Sequence, residues 1–329
     1  MAEKDAEAKA GYAKGTDKAR AEVLSAVLQE HDIFTAQRDK RIELLKRMEA
    51  YPCAQGKTGY LAFLCSESVG ASIDTADIPA IGDALLSIGE VEQLNLIING
   101  PGGDGTVAEK IIELCRAHCK QFRVVVPNRA KSAATIIALG ADEIVMGYCS
   151  ELGPIDAQVP IVVGGIPRYI SAQSFIDSKA SLLEEFAKAV KAKEDPRAIL
   201  QQIASLDGPF IDHCGKLMEF SKVVARKYLM QYMFSTVTPQ KTRAAMVEDV
   251  LKGLSSPGEF KVHGRMINGT AAKNDLHLNV KLLGKDDDFW KDLWQYYVRA
   301  DVLLSRSPGT AKLIETKDEI LIMGRATNK

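Results

Sequence analysis

One serine in this sequence has the surroundings of a nucleophile. Ser132 follows the apolar run of residues 124–126 and opens a stretch of small residues that predicts a helix over residues 132–139. A buried strand followed directly by a helix places the hydroxyl at the carboxyl edge of a parallel sheet, where α/β proteins form their sites. Unpaired N–H groups at the helix start would stabilise an alkoxide or an oxyanion there. The alternative is a plain helix N-cap, which serine provides in many helices.

A pair of glycines is predicted to lie at the same edge. Gly102 and Gly103 follow the preceding apolar run, residues 94–99. Glycines at this point let backbone N–H groups approach a reacting carbonyl. Together with the N–H of Ala133, they predict an oxyanion hole beside Ser132, and therefore chemistry on an acyl group.

Three other motifs have part of the pattern of a cofactor or metal site. Gly100–Gly105 has the spacing of a dinucleotide fingerprint, but the following strand ends without the acidic residue that binds the ribose. Gly56 precedes Lys-Thr, but the first glycine of a phosphate-binding loop is missing. Cys115 and Cys119 share a helix face without a second pair of ligands. We therefore expect no cofactor and no metal.

The elements that position these residues alternate along the first half of the chain. Strands separated by single helices predict right-handed crossovers and a mostly parallel sheet, covered on both faces, in an α/β fold. The predicted strands are residues 60–65, 94–99, 122–127 and 143–146, and the predicted helices are residues 78–88, 106–119 and 132–139.

The rest of the chain is predicted to consist mainly of helices, with two hairpins. Residues 159–170 predict a hairpin around a Gly-Gly turn, residues 312–323 predict a closing hairpin, and helices are predicted at residues 174–193, 196–205, 208–234, 239–254 and 286–305. The predicted organisation is a disordered leader (1–20), an N-terminal helical segment (21–55), an α/β core (56–170) and a helical region with the closing hairpin (171–329).

Composition excludes several classes of protein. The 42 Lys and Arg residues nearly balance the 43 Asp and Glu residues, so no overall charge attracts nucleic acid or anionic lipid. No apolar run reaches the about 18 residues of a membrane span, and the charged start is unlike a secretory signal. We therefore predict a cytoplasmic protein, without a membrane span or a nucleic-acid partner, whose six cysteines are free thiols.

Four segments together resemble the serine dehydrogenase proteinase family, which is related to the Clp protease catalytic subunit and to signal peptide peptidase A. They are Ile98–Gly103, Val124–Met146, Leu152–Asp156 and a late motif from Val262 to Val280 that contains His263. The resemblance implies a Clp/crotonase-like fold, a serine peptidase without an ATPase of its own, a peptide or protein substrate and a homo-oligomer. The resemblance does not indicate whether a separate protein unfolds substrates for this one.

The resemblance also implies roles for single residues. Ser132 would be the nucleophile, and the N–H groups of Gly102, Gly103 and Ala133 would bind the oxyanion. The general base is open, because the loop at residues 153–157 lacks the histidine that follows the nucleophile in Clp-type enzymes.

Two residues are candidates for that base. Lys179 is the nearest candidate for the lysine that signal peptide peptidases use, and such a lysine must be desolvated before it can accept the serine proton. His263 is the second candidate, since histidine is the commonest general base. Lys131 adjoins the serine but is poorly placed to reach its hydroxyl. Asp156 would either orient the base or cap a turn.

Two other functions remain open on the sequence. Ala134 and Asp104-Gly105 depart from the residues that relatives have there, which is compatible with a catalytically silent protein that binds peptides or forms an oligomeric scaffold. An acyl-CoA hydratase or hydrolase would use the same oxyanion hole.

Overall fold

The computed structural model describes residues 27, 35–51, 56–66, 71–164, 166–255, 266–307 and 309–324. Its strands are β1 Thr58–Cys65, β2 Val91–Asn99, β3 Cys119–Val126, β4 Arg129–Ala130, β5 Glu143–Met146, β6 Glu151–Leu152, β7 Gln158–Val163, β8 Ile166–Ser171, β9 Ile267–Asn268, β10 Val280–Leu282, β11 Thr310–Glu315 and β12 Ile320–Gly324. Its helices are α1 Thr35–Glu49, α2 Asp77–Ile88, α3 Gly105–Ala117, α4 Ala133–Leu139, α5 Ala172–Ala192, α6 Arg197–Ala204, α7 Gly208–Tyr228, α8 Gln240–Ser255, α9 Gly269–Asn274 and α10 Asp288–Arg306.

A seven-stranded sheet forms the centre of the molecule, in the order β10-β5-β3-β2-β1-β11-β12. The first five strands in that order are parallel to one another, β11 runs antiparallel to β1, and β12 runs antiparallel to β11. The mostly parallel α/β fold predicted from the sequence is therefore confirmed. The four predicted strands correspond to β1, β2, β3 and β5, and the three predicted helices to α2, α3 and α4.

Both faces of the sheet are buried along β1, β2, β3 and β5, which explains the continuous apolar runs of these strands. In β1, Leu61 and Phe63 belong to one hydrophobic cluster, and Tyr60 and Leu64 belong to the other. Helices α2, α3, α4, α7 and α8 contribute to the first cluster, and α1 and α10 to the second. The resulting three-layer arrangement fixes the carboxyl ends of β2 and β3 from both sides.

The closing hairpin is part of the central sheet. β11 pairs antiparallel with β1, so that Lys312 lies opposite Cys65 and Glu315 opposite Ala62. Helix α10 packs on the same sheet beside α1. Residues on both sides of the predicted boundary at residue 170 therefore contribute to the same hydrophobic clusters.

The hairpin predicted at residues 159–170 is present as β7 and β8. It leads into α5 and α6, which are largely exposed: in α5 only Ala172 and Ala189 are buried, and in α6 no residue is. We call α5 and α6 together the arm. The long helix predicted at residues 208–234 is α7, which continues as a π-helical turn over Leu229–Met233.

Some predictions lie outside the described residues. The leader is among them, and of residues 21–34 only Val27 is described, as a buried residue beside α1. Within the described ranges, no helix combines the length and the apolar composition needed to cross a membrane.

Candidate active site

Ser132 lies at a sharp turn between β4 and α4, with φ 51° and ψ −118°. A positive φ is uncommon for a residue with a side chain and costs about 1–3 kcal/mol, so it persists only where the surrounding structure imposes it. The Ser132 hydroxyl makes no capping hydrogen bond to α4. The N-cap alternative is therefore not realised, and the hydroxyl is left available at the turn.

The glycine loop lies directly against this turn. Gly100 pairs with the chain beside it, since its N–H donates to the carbonyl of Arg129 (3.0 Å) and its carbonyl accepts from the N–H of Lys131 (3.1 Å). A Cβ built on Gly102 would lie 2.7 Å from the Cβ of Ser132 and 3.1 Å from the backbone nitrogen of Ala133. Two of the predicted oxyanion-hole residues are thus next to the predicted nucleophile.

Gly102 and Gly103 have the backbone conformation that the loop requires, with φ values of +103° and +150°. In the described part of the chain, neither N–H group donates to a backbone carbonyl. Gly103 packs on the backbone of Ile73 so closely that a Cβ would overlap the Ile73 carbonyl oxygen. Only glycine fits there, and its N–H remains available for a ligand.

Thr135 is a buried residue of α4 that sequence reasoning missed. Its Oγ1 lies 2.7 Å from the carbonyl oxygen of Ala130 and 3.0 Å from that of Gly153, and it accepts from the N–H of Gly153 at 3.2 Å. The side chain thereby joins β4, which leads into Ser132, to the loop that follows β6. The only signal in the sequence was a polar residue in an otherwise apolar helix.

Lys131 makes its contacts away from Ser132, in line with the prediction that it is poorly placed to reach the hydroxyl. Its Nζ forms an ion pair with Glu151 at 2.7 Å and donates to the carbonyl of Leu152 at 3.3 Å. These contacts direct the side chain along β6.

The two candidate bases have different outcomes. Lys179 is exposed on α5, and among the described residues no hydrogen bond or ion pair joins it to Ser132. His263 lies outside the described residues. The chain is described again from Met266, immediately before β9, which pairs with β6 in the three-stranded sheet β4-β6-β9.

Asp156 holds the base of the hairpin. Its Oδ2 accepts from the hydroxyl of Ser171 at 3.0 Å, next to the point where the N–H of Ala172 donates to the carbonyl of Ala157. Of the two roles predicted for Asp156, this contact favours the structural one.

A parallel sheet whose neighbouring strands end in a glycine loop and a strained serine turn defines a ClpP-like α/β protein. The model of one such family, the ClpP-like SDH-type serine proteinases, matches residues 67–188. Over this segment the chain matches that family, and the resemblance carried by the motifs there is confirmed. The matching family is one of serine proteinases.

Two curated relatives are similar to parts of this chain, and both are uncharacterized proteins. The uncharacterized protein MJ0137 of Methanocaldococcus jannaschii is 44% identical over 66 residues, which are 20% of this chain and 23% of that protein. The uncharacterized protein MJ1495 of the same organism is 31% identical over 109 residues, which are 31% of this chain and 36% of that protein. The matches thus span about a quarter and about a third of these relatives.

Among solved structures, a mutant of the 1510-N membrane-bound stomatin-specific protease is similar to this chain. The match has 16% sequence identity and a TM-score of 0.28, and it covers 39% of this chain and 63% of that one.

Proposed function

We propose that this protein is a serine peptidase with Ser132 as its nucleophile. One observation carries the proposal: the uncapped Ser132 hydroxyl lies on a strained turn in contact with a loop whose glycine N–H groups donate to no described carbonyl. Such a turn exposes the nucleophile, and the neighbouring amides provide hydrogen-bond donors without a rearrangement during the reaction.

The proposed reaction uses these groups in order. The Oγ of Ser132 attacks the peptide carbonyl while a base takes the hydroxyl proton, and the N–H groups of Gly102, Gly103 and Ala133 bind the oxyanion. The protonated base then gives its proton to the leaving amine, which leaves an acyl-enzyme. Water, deprotonated by the same base, hydrolyses this ester and releases Ser132.

Two observations favour His263 over Lys179 as the base. Lys179 is exposed, whereas a lysine base requires burial to lower its pKa. In the small sheet, Leu152 of β6 pairs with Ala130 of β4 in parallel and with Ile267 of β9 antiparallel. The amino end of β9 therefore lies at the same edge of the small sheet as the carboxyl end of β4, which leads to Ser132. His263 precedes β9 by four positions in the sequence.

The proposal includes a homo-oligomer with a peptide or protein substrate in the cytoplasm. Large apolar side chains on the arm are exposed, among them Leu183, Val190 and Leu200, which supports a contact between copies. The described cysteines are free thiols, which supports a reducing compartment.

Labelling with a fluorophosphonate tests the nucleophile. We expect the wild-type protein to be labelled once per chain at Ser132, as read by intact mass and peptide mapping. Ser132→Ala should abolish labelling, and Ser205→Ala, which alters an exposed serine, should not. Absence of labelling in folded wild-type protein would contradict the proposal and favour the catalytically silent scaffold.

A second set of variants tests the base. We expect His263→Ala to lower the labelling rate by about 10²-fold or more, the usual contribution of a positioned general base. His213→Ala is the matched control, because His213 is an exposed histidine on α7. A large loss with Lys179→Met and none with His263→Ala would assign the base to Lys179 instead.

A further inference from the structure

The glycine loop is held on the side away from Ser132 by Ile73. The N–H of Ile73 donates to the carbonyl of Gly102 at 2.8 Å, and the carbonyl of Ile73 accepts from the N–H of Asp104 at 2.9 Å. These two bonds bracket Gly103 and form a single-residue parallel bridge with Ile73. The carbonyl of Gly102 and the N–H of Gly103 belong to one planar peptide unit, so the bond from Ile73 also fixes the orientation of that N–H.

Ile73 is in turn fixed by a buried ionic cluster that begins with the next residue. Lys312 of β11 is 3% exposed, and its Nζ contacts Oδ1 of Asp77 at 2.7 Å and Oδ2 of Asp74 at 2.9 Å. The second oxygen of Asp77 accepts from the N–H of Asp74 at 2.9 Å. One carboxylate therefore binds both the lysine and the backbone adjoining Ile73.

The cluster is rigid for a physical reason. Asp77 is fully buried, so its carboxylate depends on Lys312 and on the Asp74 amide for the interactions that water would otherwise provide. Removing one partner of such a pair leaves an uncompensated buried charge, which opposes any opening of the cluster. Because Asp74 directly follows Ile73, that resistance is transmitted through a single peptide unit to the glycine loop.

We propose that Lys312, with Asp74 and Asp77, is a positioning residue for the oxyanion loop. The cluster holds Ile73, Ile73 holds Gly102 and Gly103, and their N–H groups are thereby kept beside Ser132. This inference rests on the proposed function of the glycine loop. Lys312 does not touch the reacting atoms in this arrangement, and it acts through the backbone alone.

The same strand provides a matched control. Glu315 of β11 accepts from Nε and Nη2 of Arg41, both at 2.9 Å, and from the hydroxyl of Tyr296 at 2.8 Å. The Arg41–Glu315 pair is as deeply buried as the Lys312–Asp77 pair. It joins α1 and α10 to the sheet, and among the described residues no hydrogen bond links it to the glycine loop. The isosteric variants Asp77→Asn and Glu315→Gln therefore remove the same charge at the same depth in two places.

Hydrogen exchange tests the positioning itself, independently of any activity. In Asp77→Asn we expect the amides of residues 99–106 to exchange about tenfold faster than in the wild type, because the loop opens locally. In Glu315→Gln exchange in this segment should be unchanged. Equal exchange in the segment for both variants would overturn the proposal. Asp74→Asn, whose carboxylate is half exposed, supplies a milder variant if Asp77→Asn does not fold.

Fluorophosphonate kinetics test the consequence for the site. We expect Asp77→Asn to lower the maximal labelling rate by about 10²-fold, as the loss of an oxyanion donor does, with the half-saturating probe concentration unchanged. Lys312→Arg should retain more of the rate than Lys312→Met, and Glu315→Gln should retain all of it. Normal kinetics in Asp77→Asn would overturn the inference. An unlabelled wild type would instead overturn the proposed function, while the exchange data would still decide the positioning.

Discussion

The edge of the sheet around Ser132 and the arm differ in how completely the chain fills the space around its backbone. At the edge, Gly102 and Gly103 are so close to neighbouring backbone that no side chain fits. In the arm, α6 has no buried residue, and Leu183 and Leu200 are exposed. Close packing therefore occurs where backbone N–H groups have to be fixed. The arm leaves large apolar side chains exposed.

The largest effect is expected where a methyl group is added at the edge. Gly103→Ala would force a Cβ into the Ile73 carbonyl at a φ of +150°. We expect the free energy of unfolding to fall by about 3 kcal/mol or more, and labelling of Ser132 to be lost. Urea unfolding followed by circular dichroism measures the first effect. A variant as stable as the wild type would show that the loop is not closely packed.

A smaller loss is expected from the threonine that joins β4 to the loop after β6. Thr135→Val removes the hydroxyl and with it the contacts to the carbonyls of Ala130 and Gly153 in a buried site. We expect a loss of about 1–3 kcal/mol in urea unfolding. Thr242→Val, at an exposed position of α8, should change stability by about 0.5 kcal/mol or less. Similar losses for both variants would refute a specific role of Thr135.

The same chemical change as in Gly103→Ala should have the opposite sign in α7. Gly215 lies inside this helix, and a Cβ built on it meets no atom within 4 Å. Because glycine costs a helix interior about 0.5–1 kcal/mol relative to alanine, Gly215→Ala should raise the midpoint of thermal unfolding. Destabilisation by this variant would mean that α7 packs more tightly than described.

The smallest effect on stability is expected in the arm. Leu200→Lys should change the unfolding free energy of one chain by about 0.5 kcal/mol or less, since the side chain is exposed. If copies meet through the arm, the same variant should reduce the molar mass measured by light scattering. Gln201→Lys adds the same charge at the neighbouring exposed position and is the control. An unchanged mass in both variants would contradict a contact through the arm.

Local patterns in the sequence were sufficient for most of the fold. Apolar strands and amphipathic helices predicted β1, β2, β3 and β5 together with the helices between them, because these elements depend on neighbours nearby in the chain. The place of β11 beside β1 could not be predicted in this way. Its partner strand lies far away along the chain, and Lys312 and Glu315 break the apolar pattern of a buried strand.

The candidate site was predictable in part for the same reason. The serine turn and the glycine loop each follow a strand, and the carboxyl ends of parallel neighbours meet at one edge, so their proximity follows from topology. The roles of Ile73 and Thr135 could not be derived, because they act through backbone bonds and a hydroxyl that leave no periodic signal. The base stays a prediction, since His263 lies outside the described residues.

The position of β11 beside β1 also determines when the fold can be completed during protein synthesis. Lys312 is 235 residues later in the chain than Asp77, its partner. The ribosome therefore releases the glycine loop, Ser132 and both aspartates long before the lysine that neutralises them, while domains begin to fold from the amino end. We expect a nascent chain that stops before β11 to be susceptible to proteolysis around residues 71–77. The order of synthesis therefore places the anchoring of the glycine loop by Lys312 among the last steps of folding.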